Sequence, residues 1–254
     1  MKTIIFDLDG TLADTSEDLL NAANSCFKKL GFDGTLNLVD HSHIALKGGR
    51  ALLKAGFDLA KVVYNESDIT REYPLFIKTY EENLSVHTFF YPRVRETILV
   101  LKKAGFLVGI CTNKPEYLAE KLLVSLNFRE EFGSLVGADT IAFKKPRPEP
   151  YIEAVQRCGG DVKRSLLVGD TLTDYDTARA AGVPIVLVDF GPGKFEINSN
   201  LFQIFQDQNQ LKLLERLQLV RYHNLLMYHL LTTIALHLHH TSEQLQYKAQ
   251  GVVF

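Results

Sequence analysis

The sequence predicts a doubly wound α/β fold: a parallel β-sheet with helices on both faces and a helical cap inserted after the first strand. Three observations predict it. Short apolar segments recur along the first 190 residues, and each runs straight into a polar or acidic turn. Segments of helical spacing lie between them, the alternation expected of a parallel sheet. One long stretch, from about residue 14 to residue 90, breaks that alternation and is mostly helical in pattern.

The elements follow in order. Lys2-Thr3-Ile4-Ile5-Phe6 is an apolar run that ends in Asp7-Leu8-Asp9-Gly10-Thr11. A run apolar on both faces is a buried parallel strand. Its acids then stand at the C-terminal edge of the sheet, where open α/β sheets place their ligands. Next, Leu19, Leu20, Ala23, Phe27 and Leu30 share one helical face, with Gly31 as the stop. An insertion between the first and second strands hangs over the same edge as the acids. Residues 14–90 therefore read as a cap, and residues 1–13 and 91–190 as the core. Within the core, Arg93 to Ala104 reads as a helix closed by Gly105, and Pro115 to Leu126 as a helix with proline in its first turn. Further strands are expected at Leu107–Cys111, Ser134–Gly137, Ser165–Val168 and Pro184–Val188. The helices Glu149–Arg157 and Asp174–Ala181 separate the last of them.

Bulk properties exclude several function classes. At 254 residues the chain accommodates one sizeable core and a small second domain. A formal charge of −2 gives no basic field for nucleic acid or an acidic membrane. No apolar run reaches membrane-spanning length. Cys26, Cys111 and Cys158 are odd in number and widely spaced, which points to reduced thiols in the cytoplasm. No signal peptide precedes the first strand.

The chemistry concentrates at the strand ends. Asp7 and Asp9, two carboxylates one residue apart, repel each other and are costly to desolvate without a cation, a proton or hydrogen bonds. A calcium loop would need glycine at position 12, which is Leu12, and a helix rather than a strand before it. A carboxylate here can attack phosphorus, and a second can carry the proton. Gly169-Asp170-Thr171-Leu172-Thr173-Asp174 is a further acidic strand end; with Asp7 it would form an oxygen-rich magnesium site. Asp174 alone reads equally as a helix N-terminal acid. Thr112-Asn113 suits phosphate oxygens or simple helix capping. Lys144-Lys145-Pro146-Arg147-Pro148 is either a surface turn or a fixed cation beside a transferred phosphate.

Taken in order, these motifs resemble those of the haloacid dehalogenase superfamily of phosphatases, most of all the phosphoglycolate phosphatase branch. The resemblance rests on Phe6-Asp7-Leu8-Asp9-Gly10-Thr11-Leu12, Tyr91-Pro92, Ile110 to Pro115, Lys145 to Pro148, Val168-Gly169-Asp170 and Asp176 to Val183. It covers the chain to about Phe190. It implies a Mg²⁺-dependent phosphomonoesterase that forms an aspartyl phosphate, with Asp7 as nucleophile and Asp9 as general acid and then base. Thr112 and Asn113 would hold the phosphoryl group and Lys145 would stabilise it. Asp7, the Asp9 backbone carbonyl and Asp170 would ligate Mg²⁺, with Asp174 acting on the metal directly or through water. The substrate implied is 2-phosphoglycolate or a similar small phosphate ester. A phosphosugar mutase, a nucleotidase and a pyrophosphatase of the same superfamily are the enzyme alternatives. A non-catalytic interaction protein is the alternative from another class.

In the cap, Lys47-Gly48-Gly49-Arg50 is the candidate substrate loop: glycine lets a backbone approach a ligand, and arginine can clamp a carboxylate. A flexible turn before a helix at Ala51 is the other reading. Two positions depart from the family pattern. Arg93 replaces a glycine common after Tyr-Pro, and Pro192 interrupts a glycine-rich turn. Residues 191–254 form an atypical extension rich in Gln, His and Leu; Gln156 is the single glutamine before it. His237, His239 and His240 cluster there without an organising pattern.

Overall fold

Five of the apolar segments form one parallel sheet in the computed structural model of the protein, which describes residues 2–32, 36–188 and 191. The extension at 191–254, with its histidines, lies outside the described residues except for Gly191. The first half of the chain runs β1 (Thr3–Phe6), β2 (Ala13–Asp14), α1 (Ser16–Lys29), α2 (Leu38–Ala45), α3 (Gly49–Leu59), α4 (Glu66–Glu82) and β3 (Phe89–Phe90). The second half runs α5 (Val94–Lys103), β4 (Leu107–Cys111), α6 (Glu116–Ser125), β5 (Ser134–Val136), α7 (Glu149–Arg157), β6 (Ser165–Gly169), α8 (Leu172–Ala181) and β7 (Ile185–Leu187).

The sheet order is β5-β4-β1-β6-β7. Thr3 is in register with Leu107 on one side of β1 and with Ser165 on the other. Strand side chains alternate between faces. Ile4, Phe6, Val108, Ile110, Leu166 and Val168 therefore pack on one face in a cluster that also holds Val94, Ile98 and Leu118 of α5 and α6. Ile5, Cys111, Val136 and Leu167 pack on the other with Tyr151 and Val155 of α7 and Ala178 of α8. Both faces are covered, which is why β1 reads as an unbroken apolar run. The chain leaves β1 toward β4 and leaves β6 toward β7, in opposite directions. Adjacent loops diverge at such a switch point, and a crevice opens between them.

Helices α1 to α4 form the inserted layer. Its centre is aromatic: the Phe27 and Phe57 rings meet edge to face at 5.1 Å. Leu30, placed by its spacing on the buried face, ends α1 as the C-cap residue and is 38% exposed. The insertion joins the sheet through β2 and β3, which pair antiparallel with Ala13 opposite Phe90 and Asp14 opposite Phe89. Asp18 on α1 fixes this junction. Its buried carboxylate accepts hydrogen bonds from the N–H groups of His87 (3.0 Å) and Thr88 (2.9 Å) and from the Thr88 hydroxyl (2.7 Å).

Arg93 stands outside its expected helix, as the residue before α5, with φ at 67°. That left-handed conformation favours glycine, so the physical reason a glycine is common here is visible in the backbone.

Removing the Asp18 carboxylate leaves two backbone N–H groups and a hydroxyl without their acceptor. Asp18→Ala is expected to lower stability by about 2–3 kcal/mol. Urea unfolding checks this, with a lower midpoint and an unchanged slope as the expected result.

Candidate active site

The crevice at the switch point collects the acids. Asp7 directly follows β1, and its N–H donates to the Val168 carbonyl of β6 at 2.8 Å. Asp170 directly follows β6, and Asp174 lies in the first turn of α8. One carboxylate oxygen from each of Asp7, Asp170 and Asp174 falls within 4.8 Å of the others, and all three residues are buried. Lys145 reaches them from the loop before α7. Its ammonium lies 3.0 Å from Asp7 Oδ2 and 2.6 Å from Asp174 Oδ1, and the residue is 2% exposed. The basic loop is thus not a surface turn at Lys145. Arg147 does take that role: it pairs with Glu149 and lies over the Phe143 ring.

Each acid is oriented by a separate contact. Asp7 Oδ1 accepts from the Leu8 N–H at 2.7 Å. The Thr11 hydroxyl donates to Asp170 Oδ1 at 2.7 Å. Asp174 forms a capping box with Thr171: Asp174 Oδ2 accepts from the Thr171 N–H at 3.1 Å, and Thr171 Oγ1 accepts from the Asp174 N–H at 3.3 Å. This box starts α8 two residues before the expected position. With Oδ1 on Lys145 and Oδ2 on Thr171, Asp174 is a helix cap and a lysine anchor at once.

Burial raises the pKa of Asp7 well above the ordinary carboxylate range; Lys145 opposes the rise and the charge of Asp174 adds to it. Burial also raises Asp170, reinforced by the charges of Asp7 and Asp174. Burial alone would lower the Lys145 ammonium, but Asp174 and Asp7 outweigh it and raise its pKa. One ammonium among three buried carboxyls leaves positive charge in deficit. Asp170 Oδ2 is buried without a hydrogen bond. Beside it Gly10 has φ at 82°, and a Cβ there would lie 2.2 Å from that oxygen. An unsatisfied oxygen, a space kept free by glycine and an all-oxygen donor set fit a hard divalent cation.

Asp9 looks the other way. Its Oδ1 accepts from the Thr15 hydroxyl at 2.7 Å, and its Oδ2 lies 3.0 Å from the Lys114 ammonium. Lys114 is buried and sits 4.6 Å from the centre of the Tyr80 ring, on α4 of the inserted layer. Thr112 follows β4, and its Oγ1 accepts from the Lys114 N–H at 3.2 Å. Asn113 is exposed, and its Nδ2 donates to the Lys145 carbonyl at 3.0 Å, tying the two loops together.

The candidate substrate loop divides. Leu46, just before it, reaches over Gly10: its Cδ2 would lie 2.9 Å from a Cβ there. Lys47 is exposed, and Gly48 has open space around it with φ at 87°. Gly49 meets a neighbouring ring. It is the first residue of α3, and a Cβ on it would lie 2.1 Å from the Phe76 ring, so it permits close packing of α3 on α4. Arg50, also inside α3 rather than before it, is exposed and lies 5.0 Å from the Tyr73 ring centre and 4.0 Å from Glu66.

Lys114, Thr15 and Tyr80 join the site without a role legible in the sequence. A lysine directly after Thr112-Asn113 was a signal for the first. Thr15 and Tyr80 join the site through the fold of the insertion, which spacing does not reveal.

Residues 4–188 match the family model of haloacid dehalogenase-like hydrolases. The chain is 39% identical over 191 residues to a phosphoglycolate phosphatase of Mesorhizobium japonicum, covering 74% of this chain and 82% of that protein. It is 34% identical over 216 residues to a phosphoglycolate phosphatase of Aquifex aeolicus, covering 85% and 97%. Among solved structures, a predicted phosphoglycolate phosphatase from Haemophilus somnus superposes with a TM-score of 0.66 at 27% identity, over 75% of this chain and 86% of that one. A mutant of CbbY from Rhodobacter sphaeroides in complex with xylulose-(1,5)bisphosphate gives 0.61 at 23% identity, over 77% and 87%, a likeness of fold. With the parallel sheet, the acids at its switch point and these relatives in agreement, the chain belongs to the haloacid dehalogenase-like hydrolase family.

Proposed function

We propose that this phosphatase hydrolyses 2-phosphoglycolate, or a small phosphate ester like it, with Mg²⁺ and through an aspartyl phosphate on Asp7. The observation that carries the reading is the pairing of Asp7 with Lys145 beside Asp170: a carboxylate held in place at the crevice, next to a fixed cation and an unsatisfied oxygen. The named activity of the relatives supports the substrate class. Among the described residues no helix is long and apolar enough to cross a membrane.

Asp7 attacks phosphorus, and the ester P–O bond breaks. The leaving oxygen takes a proton from Asp9. Asp9 then takes a proton from water, whose oxygen attacks phosphorus and displaces Asp7, releasing inorganic phosphate and restoring both acids. The Thr112 hydroxyl and Asn113 hold the phosphoryl oxygens, and Lys145 neutralises them while it orients Asp7. Asp7, Asp170 and the Asp9 backbone carbonyl would hold Mg²⁺, with Asp174 supporting its shell. When bound, the ion screens the phosphoryl oxygens from the surrounding carboxylates. Leu46 over Gly10 narrows the entrance, which suits a small ester. Lys47 and Gly48, directly after Leu46, line the approach from the insertion.

Asp7→Asn keeps the side-chain shape and lacks the attacking anionic oxygen. It is expected to lose on the order of a thousandfold or more in kcat. Phosphate release from 2-phosphoglycolate by the purified, folded variant measures this; a rate near wild type would refute the nucleophile. Asp9→Asn should also be severely slowed.

EDTA is expected to stop turnover, Mg²⁺ to restore it and Ca²⁺ to fail, because calcium takes a larger and more flexible shell. Full activity in EDTA would exclude the metal reading.

Stability gives a readout independent of turnover. Asp7 and Asp170 hold protons more tightly folded than unfolded, so without metal the folded state binds more protons above the usual carboxylate pKa. Stability then falls as pH rises through the window between the unfolded and the raised folded values. The EDTA-treated protein should melt at a lower temperature at about pH 8.5 than at about pH 6. Mg²⁺ should raise the melting temperature most at the higher pH, because it binds the folded state with the acids ionised. A metal-free melting temperature that climbs with pH over this range would contradict the burial of these acids.

A further inference from the structure

We propose that Lys114 and Tyr80 together form the subsite that reads the substrate's second anionic group, the carboxylate of a two-carbon phosphate ester. This inference rests on the phosphatase reading above and assigns the residues that give it specificity.

The side chain of Lys114 is 4% exposed, and its ammonium pairs with Asp9. The ammonium is therefore inside the crevice, one hydrogen bond from the group that serves the ester oxygen. Tyr80 is 1% exposed, and its hydroxyl is buried without a hydrogen bond. The Lys114 ammonium, 4.6 Å from the Tyr80 ring centre, has no lone pair to accept with, which leaves that O–H an unused donor. A buried donor without an acceptor is costly and calls for an explanation. A carboxylate placed here accepts from both the Lys114 ammonium and the Tyr80 hydroxyl, and so satisfies each with one group.

Arg50 is the competing candidate, and position decides against it. Tyr73, Phe76 and Tyr80 form a row of rings along α4, with centres 6.1 and 6.3 Å apart. Lys114 caps the inner end of the row at Tyr80, and Arg50 caps the outer end at Tyr73. The carboxylate of 2-phosphoglycolate is one carbon removed from the ester oxygen. With phosphorus beside Asp7, that carboxylate reaches the inner end and not the outer one. Arg50 is also exposed and lies near Glu66 and Thr70.

The exchange has a consequence for Asp9. As Lys114 turns to the substrate's carboxylate, Asp9 keeps the Thr15 hydroxyl and is released from the ammonium toward the ester oxygen. Because Tyr80 belongs to the insertion and Lys114 to the sheet, the carboxylate also bridges the two layers.

The test compares kcat/KM for 2-phosphoglycolate and for p-nitrophenyl phosphate, which has no carboxylate, in wild type, Tyr80→Phe and Lys114→Met, with Mg²⁺ and with melting temperatures recorded. Lys114→Met is expected to lose about 10- to 100-fold more on 2-phosphoglycolate than on p-nitrophenyl phosphate, and Tyr80→Phe about 5- to 10-fold more. The difference should sit mainly in KM. Arg50→Ala should shift the ratio by no more than about twofold. Tyr80→Phe keeps the ring and its packing, so it decides the matter if Lys114→Met does not fold. Parallel losses on both substrates, in a wild type that prefers 2-phosphoglycolate, would overturn the subsite and leave the phosphatase reading standing. Wild-type turnover of p-nitrophenyl phosphate without turnover of 2-phosphoglycolate would overturn the substrate, and the subsite with it.

Discussion

Three buried carboxyl groups share one buried ammonium at the end of β1 and β6, and the surrounding structure is arranged around that imbalance. Isolated charges do not survive such burial; they pair, take up protons or bind metal. Lys145 supplies the pairing, and its own burial is sustained by Asp7 and Asp174. The remaining deficit falls on Asp170, where an oxygen stays unsatisfied. Position in the sheet makes this arrangement possible. Register holds the ends of β1, β4 and β6 level, so Asp7, Thr112 and Asp170 stand at one edge of the sheet although more than a hundred residues separate the first from the second.

The insertion closes over this centre and is anchored beside it. Its two connections pair as β2 and β3, only a few residues from Asp9 and Gly10. Asp18 locks the returning strand to α1 through three hydrogen bonds. Leu46 then reaches Gly10, and Tyr80 reaches Lys114. Glycine at position 10 serves two constraints: a left-handed turn and room beside Asp170. Glycine at position 49 serves another, the close contact of α3 with Phe76 that sets the row of rings on α4.

The parallel sheet was legible because its strands are buried on both faces and bounded by glycine and acidic turns. Strands β1 and β4 to β7 fall where apolar runs meet such turns, and the helices between them differ by at most two residues at either end. Asp7, Asp170, Asp174 and Lys145 were legible as strand-end or loop residues, and the fold brings them together. The contact of Gly49 with Phe76 was not legible, since a glycine beside a turn looks the same whether it admits a ligand or a neighbouring ring. Lys114 lies within the Ile110 to Pro115 motif, yet its role is not legible there, because burial is a property of the packed molecule. Tyr80 was out of reach: its place depends on how α4 crosses the sheet edge, and helical spacing alone gives no crossing geometry.

Division of labour between the two layers follows from where charge is needed. Lys145 comes from the sheet side and meets Asp7, the proposed nucleophile; it is held by two carboxylates and a loop tied to Asn113. Lys114 meets Asp9, the proposed proton carrier, and its other neighbour is an aromatic face of the insertion. A rigid cation suits a step whose geometry must not vary, because preorganised charge costs no rearrangement at the moment of reaction. A cation with an exchangeable partner suits recognition, because it changes partner only for a ligand that offers a stronger one. On the proposed reading, the same sheet edge carries one lysine committed to chemistry and one whose commitment is completed by the substrate and by the layer that closes over it.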